Sequence, residues 1–207
     1  MTRDKLNLTE INRFLKGKTP EAIVQWALDF AKKPLVTTNF RPYEAVILHA
    51  VSTQKPDVTV VWCDTGYNTS ATYRHAVRTI ERLKLQVDLF VPQQTVAYRD
   101  VVMGIPEIDT LAHDTFTRQV KLEPFERAMA KHTPDVWFTN LRKEQTAFRT
   151  SLDIVSLSKD AIVKVSPFFY WSDEALDDYL KTHGLESEET YFDPTKALAH
   201  RECGLHT

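Results

Sequence analysis

The last seven residues of the chain place a cysteine among charged neighbours. Arg201 and Glu202 precede Cys203, and His206 follows it. A thiol attacks as its thiolate, which Arg201 and a protonated His206 favour and which Glu202 opposes. The pattern alone also fits an incidental exposed cysteine, because a reactive thiol needs an electropositive pocket. The rest of the chain has to supply that pocket.

A short polar segment, Thr37-Thr38-Asn39-Phe40, connects a predicted strand to the start of a predicted helix. Hydroxyl groups, an amide and the N–H groups of a helix N-terminus together can bind phosphate. The segment is therefore a candidate phosphate loop, although an ordinary polar turn with a helix cap fits it equally well.

A second turn, Asp64-Thr65-Gly66, follows a Val-rich run that ends at Cys63 and is typical of a buried parallel strand. The turn fits a nucleotide-binding role. It equally fits a plain turn in which Asp64 and Thr65 bond their own backbone. Cys63 is interpreted as a small packed residue rather than a reactive one.

Arg142, Lys143, Gln145 and Arg149 follow a later predicted strand and lie within eight residues of one another. Cationic donors of this kind hold anionic ligands well. Taken alone, however, the run fits a solvated charged surface better, since most such runs are exposed.

The elements that must position these groups alternate between strand and helix. We predict a helical lead-in over residues 1–33, an α/β domain over 34–185 and a C-terminal tail over 186–207. This rhythm indicates a mostly parallel, twisted sheet with helices on both faces, and ligand groups at the carboxyl ends of its strands. The polar start of the tail predicts few packing contacts, and hence mobility.

Apolar periodicity sets the individual elements. Residues 92–120 lack a clear period and contain two prolines, which predicts a surface excursion or lid. The predicted strands cover residues 35–38, 58–63, 87–91 and 136–139, and the predicted helices after the lead-in cover 43–51, 68–83, 124–131 and 172–183.

Composition narrows the function. The 207 residues, 43% of them hydrophobic, suffice for one well-buried domain. A net charge of -2 gives no overall attraction to nucleic acid or to an anionic membrane surface. Two cysteines without CxxC pairing argue against a disulfide framework, a zinc site or a cysteine-ligated iron–sulfur cluster. With no export signal and no 18-residue apolar run, the expected compartment is the cytosol.

Together the motifs resemble the phosphoadenosine phosphosulfate (PAPS) reductase family, within the adenine nucleotide alpha hydrolase-like group. The resemblance covers about residues 35–185 and the last seven residues. It is carried by Thr37-Thr38-Asn39-Phe40, Ala45-Val46-Ile47-Leu48-His49, Asp64-Thr65-Gly66-Tyr67, Glu123-Pro124, Leu141-Arg142-Lys143-Glu144-Gln145, Trp171, His183-Gly184-Leu185 and Arg201-Glu202-Cys203-Gly204-Leu205-His206.

The resemblance implies a thiol-dependent reduction of PAPS in assimilatory sulfate reduction, with residues 34–185 binding the nucleotide and the tail carrying the nucleophile. The Cys203 thiolate would attack the sulfonate sulfur and release adenosine 3',5'-bisphosphate. Reduced thioredoxin or glutaredoxin would then free sulfite from the Cys203 S-sulfonate. No metal or bound cofactor is implied, and relatives suggest a homodimer. The implied substrate-binding residues are Thr37, Thr38, Asn39, Phe40, Asp64, Thr65, Gly66, Arg142, Lys143, Gln145, Arg149, Arg201 and His206.

Two departures from the family pattern bear on substrate recognition. The phosphate loop of the family normally reads Ser-Ser-Ser-Phe-Gly, whereas Phe40 is followed here by Arg41-Pro42, which removes a flexible glycine and adds a cation. The stretch between Leu185 and Arg201 is also shorter than usual and lacks a Gly-Tyr-x-Ser segment.

Several alternatives stay open. Family members that use adenosine 5'-phosphosulfate (APS) generally carry paired cysteines for an iron–sulfur cluster, which favours PAPS here, but an APS-using reductase is one alternative. An ATP-pyrophosphatase-type sulfurtransferase or adenylyltransferase of the same fold should carry a Ser-Gly-Gly-x-Asp-Ser loop, which residues 37–44 match poorly. A non-catalytic nucleotide-binding relative is the third.

Overall fold

The structure is a computed structural model that describes residues 6–196. A π-helical segment, Arg118–Leu122, leads into the seventh α-helix, and two 3-10 turns, Lys143–Gln145 and Phe148–Ser151, follow the fourth strand. The strands are β1 Pro34–Thr38, β2 Thr59–Cys63, β3 Gln86–Phe90, β4 Val136–Phe138, β5 Val155–Leu157 and β6 Val163–Val165. The α-helices are α1 Leu8–Leu15, α2 Pro20–Leu28, α3 Glu44–Gln54, α4 Ser70–Leu83, α5 Val96–Val102, α6 Leu111–Thr117, α7 Glu123–His132 and α8 Asp173–His183.

The six strands form one sheet in the order β3-β2-β1-β4-β6-β5. All neighbours pair in parallel except β5, which pairs antiparallel with β6 at one edge. Because β1 pairs with β2 on one side and with β4 on the other, the winding of the chain reverses at β1. Ligands of open α/β sheets bind outside the strand ends at such a reversal.

Alternate residues of the central strands enter two separate cores. Val36 and Val60 belong to the larger core, whereas Leu35 and Val61 belong to a smaller one. The reason is the two-residue period of a strand, which sends neighbouring side chains to opposite faces. The larger core packs under α2, α3, α4 and α8, and the smaller one packs under α7. Helices therefore cover both faces, and the predicted fold class is confirmed.

Most helices begin at a hydroxyl cap. Thr19, Thr69, Thr95, Thr110 and Ser172 each accept a hydrogen bond from a backbone N–H of the first turn. Helix α3 differs, because its N-cap residue is Tyr43, which has a left-handed backbone (φ 65°) and makes no side-chain cap. The start of α3 is thus shaped by the loop before it.

Three sequence expectations are corrected by the structure. Strand β5 was not predicted, since only three residues of weak pattern form it at the sheet edge. Residues 92–120, where no helix was predicted, contain α5 and α6; Arg99 and Phe116 in these helices are fully buried, whereas Val101 and Leu111 are exposed, as expected for a surface excursion. In the lead-in, helical spacing places Ile11, Phe14 and Leu15 on one face as packing positions, but Phe14 is 60% exposed.

The first part of the predicted tail, residues 186–196, packs against the domain through polar groups. Glu188 accepts a hydrogen bond of 2.6 Å from the Thr72 hydroxyl, and buried Asp193 pairs with Lys121. Its low apolar content predicts few packing contacts, but the contacts that form are hydrogen bonds and an ion pair, which apolar content does not indicate. The predicted division of the chain at residues 33 and 185 stays a prediction, and residues 197–207 lie outside the described residues.

Candidate active site

A cleft of about 660 Å³, here called the strand-end cleft, opens at the carboxyl ends of β1, β2 and β4. Phe125 and Trp137 form part of an apolar wall. Among the described residues, its lining includes four basic side chains and one carboxylate, which favours an anionic ligand. These charged residues are Arg41, Lys121, Arg149, Lys196 and Glu44.

The loop after β1 divides into cleft residues and a core residue. Thr37, Thr38 and Asn39 line the strand-end cleft. The Thr37 hydroxyl accepts from Trp137 Nε1 at 2.9 Å, and the Asn39 amide donates to the Tyr191 hydroxyl at 2.8 Å. Phe40 is instead fully buried. This segment therefore presents polar groups to the cleft, and the buried Phe40 side chain packs it against the core.

A second cleft, the side cleft, adjoins the first because Arg41, Arg149 and Lys196 line both. It measures about 1060 Å³ and is also lined by Arg142 and Gln145. The structure thus brings three of the four predicted basic-segment residues together. Three carboxylates share the lining, so the side cleft has mixed charge; they belong to Glu144, Asp173 and Glu174.

Gln145 organises the basic segment. Its Oε1 accepts a hydrogen bond of 3.1 Å from the backbone of Arg142 and another from the guanidinium of Arg149, which is only 1% exposed. Arg142 donates to Asp173 and lies over the Tyr43 ring at 5.3 Å. The Nε of Arg142 is buried and has no hydrogen-bond partner in the described part of the chain. The segment therefore fixes two guanidinium groups at the clefts.

Lys143 lies apart from this group. It is exposed, lines neither cleft, and its Nζ is 5.6 Å from the centre of the Tyr170 ring. Its place among the substrate-binding residues stays a prediction.

The turn after β2 is closed on itself. The Asp64 carboxylate accepts hydrogen bonds from the Gly66 backbone at 2.9 Å, from Asn68 at 2.8 Å and from the Tyr73 hydroxyl at 2.9 Å. Burial, followed by the charge of Asp64, raises the pKa of Tyr73, which keeps its hydroxyl a donor. Asp64, Thr65 and Gly66 line neither cleft, so the structure does not bring them together with the phosphate loop.

Cys63 does line the strand-end cleft, but its thiol is suited to packing. Burial raises the pKa of Cys63 to about 12, although the charges of Lys121 and Arg127 act in the opposite direction. At neutral pH the group is therefore a thiol and not a thiolate nucleophile. The predicted nucleophile Cys203, with Arg201 and His206, lies outside the described residues.

Sequence reasoning missed Lys121 as a cleft residue. It belongs to the π-helical segment, is 5% exposed, and pairs with Asp193 while its Nζ also donates to the Thr195 hydroxyl at 3.3 Å. The signal available in the sequence was its position two residues before the Glu123-Pro124 motif. Lys196 was missed too, because the polar composition of the tail predicts no packing against the domain.

The family profile described as phosphoadenosine phosphosulfate reductase domain matches residues 33–196. This chain belongs to that family. As a PAPS reductase family member it is an oxidoreductase, and the fold is the one expected for the family.

Two bacterial relatives support the assignment along most of the chain. The phosphoadenosine 5'-phosphosulfate reductase of a Synechococcus strain is 32% identical over 86% of this chain and 78% of its own length. The enzyme of the same name from Aliivibrio salmonicida is 32% identical over 97% of this chain and 88% of its own length.

Solved structures agree on the fold. A phosphate complex of phosphoadenylyl-sulfate (PAPS) reductase from Candida auris superposes with a TM-score of 0.77 over 91% of this chain and 90% of that one, at 20% identity. An FMN adenylyltransferase from Candida glabrata superposes with a TM-score of 0.60 over 91% of this chain and 61% of that one, at 11% identity. The second likeness shows that the predicted alternative class shares this architecture.

Two absences concern only the part of the chain that the structure describes. Across residues 6–196, no group of three His, Cys, Asp or Glu side chains is arranged to hold a metal ion. Within the same residues, no helix has both the length and the apolar character needed to span a bilayer.

Proposed function

We propose that this chain reduces PAPS to sulfite and adenosine 3',5'-bisphosphate, with Cys203 as the nucleophile. The observation that carries the proposal is the strand-end cleft, where basic side chains outnumber carboxylates at the point at which this fold binds ligands. Membership of the PAPS reductase family supplies the reaction class.

The electrostatics of the cleft suit a polyanionic substrate. The chain as a whole has a net charge of -2, so an anion attacking another anion needs local cations to offset the repulsion. Arg149 and Lys121 enter the cleft from buried positions, where charge interactions are less screened than at the surface. We expect them, with Thr37, Thr38 and Asn39, to hold the phosphate groups.

The nucleophile can reach this cleft. Lys196 lines both clefts, and Cys203 follows it by seven residues. At a maximum of about 3.6 Å per residue, seven residues span no more than about 25 Å. The buried Lys121–Asp193 pair fixes the chain close to the start of this connection. This length of chain is enough for Cys203 to act in the strand-end cleft, with Arg201 and His206 beside it in sequence.

The proposed reaction consists of three successive thiolate attacks at sulfur, and each step balances. The Cys203 thiolate forms a bond to the sulfonate sulfur, and the bond between that sulfur and the phosphate oxygen breaks. Its electron pair leaves with adenosine 3',5'-bisphosphate, whose charge the cleft cations stabilise. A thiolate of reduced thioredoxin or glutaredoxin then attacks Cys203 Sγ and expels sulfite. The second thiol of the donor resolves the mixed disulfide, so the donor supplies both electrons.

The other predicted residues take supporting roles in this proposal. Arg142 and Gln145 bind from the side cleft, and Lys143 contributes a peripheral positive charge. Phe40 and the turn Asp64-Thr65-Gly66 shape the backbone beside the nucleotide. The absence of paired cysteines favours PAPS over APS.

Sulfite production from PAPS and from APS tests the proposal, with reduced thioredoxin, glutaredoxin and dithiothreitol compared as donors. We expect sulfite from PAPS, loss of turnover in Cys203→Ser, and turnover in the matched variant Cys63→Ser. Absence of sulfite from both nucleotides with every donor, or full activity in Cys203→Ser, would overturn it. An ATP-dependent adenylyl transfer by the same preparation would favour the alternative class.

A further inference from the structure

The loop after β1 carries an arginine, Arg41, at the junction of the two clefts. Arg41 lines both the strand-end cleft and the side cleft, and so lies where the two meet. Unlike Arg149 and Lys196, which share this location, it directly follows the candidate phosphate loop, Thr37-Thr38-Asn39-Phe40. Its side chain is 22% exposed, which leaves it accessible to a ligand.

The backbone around Arg41 is held in one conformation. Phe40 and Tyr43 both have left-handed backbones, with φ of 54° and 65°, and the ring of Pro42 restricts φ between them. Left-handed conformations are costly for residues with a side chain and persist only where their surroundings enforce them. Two sets of contacts hold this backbone. The ring centres of buried Phe40 and Trp62 lie 4.9 Å apart. The Asn140 side-chain amide donates to the Tyr43 carbonyl, and the Tyr43 backbone N–H donates to the Ser187 hydroxyl. A loop fixed in this way presents Arg41 in a defined place.

Glu44 fixes the guanidinium in turn. The distance from Arg41 Nε to Glu44 Oε1 is 2.8 Å, and Glu44 is only 4% exposed. Glu44 is also the carboxylate that lines the strand-end cleft. A buried carboxylate at an anion site opposes binding unless a cation is paired with it. Glu44 therefore orients the Arg41 guanidinium, while its negative charge lowers the net positive charge of the cleft.

We propose that Arg41 is a specificity-determining residue that binds a phosphate group of the nucleotide, and that Glu44 is its positioning residue. The proposal rests on the proposed function in that it takes the ligand to be a phosphorylated adenosine. It goes further because it assigns recognition of that ligand to Arg41, a cation that stands where the family pattern has glycine.

Calorimetric titration with adenosine 3',5'-bisphosphate and with AMP tests Arg41 directly. Arg41→Ala should weaken binding by about 10- to 150-fold, the range of a charge-assisted hydrogen bond, and Arg41→Lys should recover part of it. Loss for both ligands assigns the 5'-phosphate, and loss for the bisphosphate alone assigns the 3'-phosphate. Unchanged affinity for both ligands in folded Arg41→Ala overturns the proposal.

Two substitutions at Glu44 separate positioning from simple support of the fold. Glu44→Gln keeps an oxygen that accepts from Arg41 and removes the opposing charge, so bisphosphate affinity should equal or exceed that of the wild type. Glu44→Ala removes the acceptor and should weaken affinity and raise KM more than it lowers kcat. Equal weakening in both variants, together with equally lowered melting temperatures, would show a structural role only and would overturn the assignment of Glu44.

The outcomes also separate this inference from the proposed function. Sulfite formation from PAPS with unchanged KM and affinity in Arg41→Ala refutes the role of Arg41 and leaves the reaction standing. Tight bisphosphate binding that depends on Arg41, in an enzyme that yields no sulfite, refutes the reaction and leaves the role of Arg41 standing.

Discussion

The turn after β2 and the segment after β4 lie at the same edge of the sheet, and both are rich in polar groups. In the turn, the Asp64 carboxylate is fully engaged by Gly66, Asn68 and Tyr73. In the segment, Gln145 instead orients the guanidinium of Arg149 at the wall of both clefts. A polar residue near a strand end is thus available to bind a ligand only when groups of its own turn do not already occupy its hydrogen-bonding atoms.

The largest expected effect concerns the buried ion pair between Lys121 and Asp193, here called the anchor of the strand-end cleft. Lys121→Met leaves buried Asp193 without its cation, and breaking one partner of a buried pair costs about 3–5 kcal/mol of unfolding free energy. Urea denaturation measures the loss. The matched control is Lys131→Met, whose pair with Asp88 is exposed and should contribute about 1 kcal/mol or less. Equal losses in both variants would contradict the anchor.

Binding by the segment after β4 comes next in size. Arg142→Ala should weaken adenosine 3',5'-bisphosphate by about 1.5–3 kcal/mol, and high salt should reproduce part of the loss in the wild type because it screens charge. Lys143→Ala is the matched comparison: Lys143 lines neither cleft and contributes only peripheral charge, so its removal should weaken binding much less than Arg142→Ala. Unchanged affinity in folded Arg142→Ala would return the segment to a solvated charged surface.

The turn after β2 should respond in the opposite way. Asp64→Ala leaves the donors of Gly66 and Tyr73 unsatisfied, which costs about 1–3 kcal/mol of stability. Bisphosphate affinity of the folded variant should stay close to the wild type. The comparison fails if the variant keeps its melting temperature and loses affinity, because Asp64 would then contact the nucleotide.

The smallest effect is the response of the 186–196 segment to acid. Burial alone would raise the pKa of Asp193, but the charge and hydrogen bond of Lys121 outweigh it and hold the pKa below its ordinary value. A lowered folded pKa contributes stability that is present above the unfolded value of about 3.9 and is lost as pH falls through the folded value. Unfolding free energies measured from pH 6 downwards should decline less in Asp193→Asn. If the unfolding free energies of the wild type and of Asp193→Asn decline in parallel, Asp193 does not cause the loss of stability in acid.

Patterns with a regular period were sufficient to predict much of the fold. The Val-rich run of β2 and the capped, amphipathic α8 follow from apolar spacing and local capping. Strand β5 was too short to carry a period, and α5 and α6 were hidden because seven residues show barely two turns.

The candidate site was predictable where polar groups lie at the end of a strand or in the segment after it. Thr37, Thr38 and Asn39 at the end of β1, and Arg149 in the segment after β4, were predicted on that basis, and all line the strand-end cleft. The sequence left open whether Asp64 bonds its own turn or a ligand; the structure has it accept from the Gly66 backbone, and adds the Tyr73 hydroxyl as a donor that the sequence did not indicate. Nor could the sequence show Lys121, whose role depends on contact with Asp193, 72 residues away.

The most direct test of the account is a single turnover without a reductant. Enzyme mixed with PAPS should release one equivalent of adenosine 3',5'-bisphosphate and gain one sulfonate group, which peptide mass analysis places on Cys203. Reduced thioredoxin or glutaredoxin added afterwards should release that group as sulfite, and Cys63→Ser should behave as the wild type. Nucleotide release without a protein adduct, or an adduct on Cys63, would contradict a reaction that runs through Cys203.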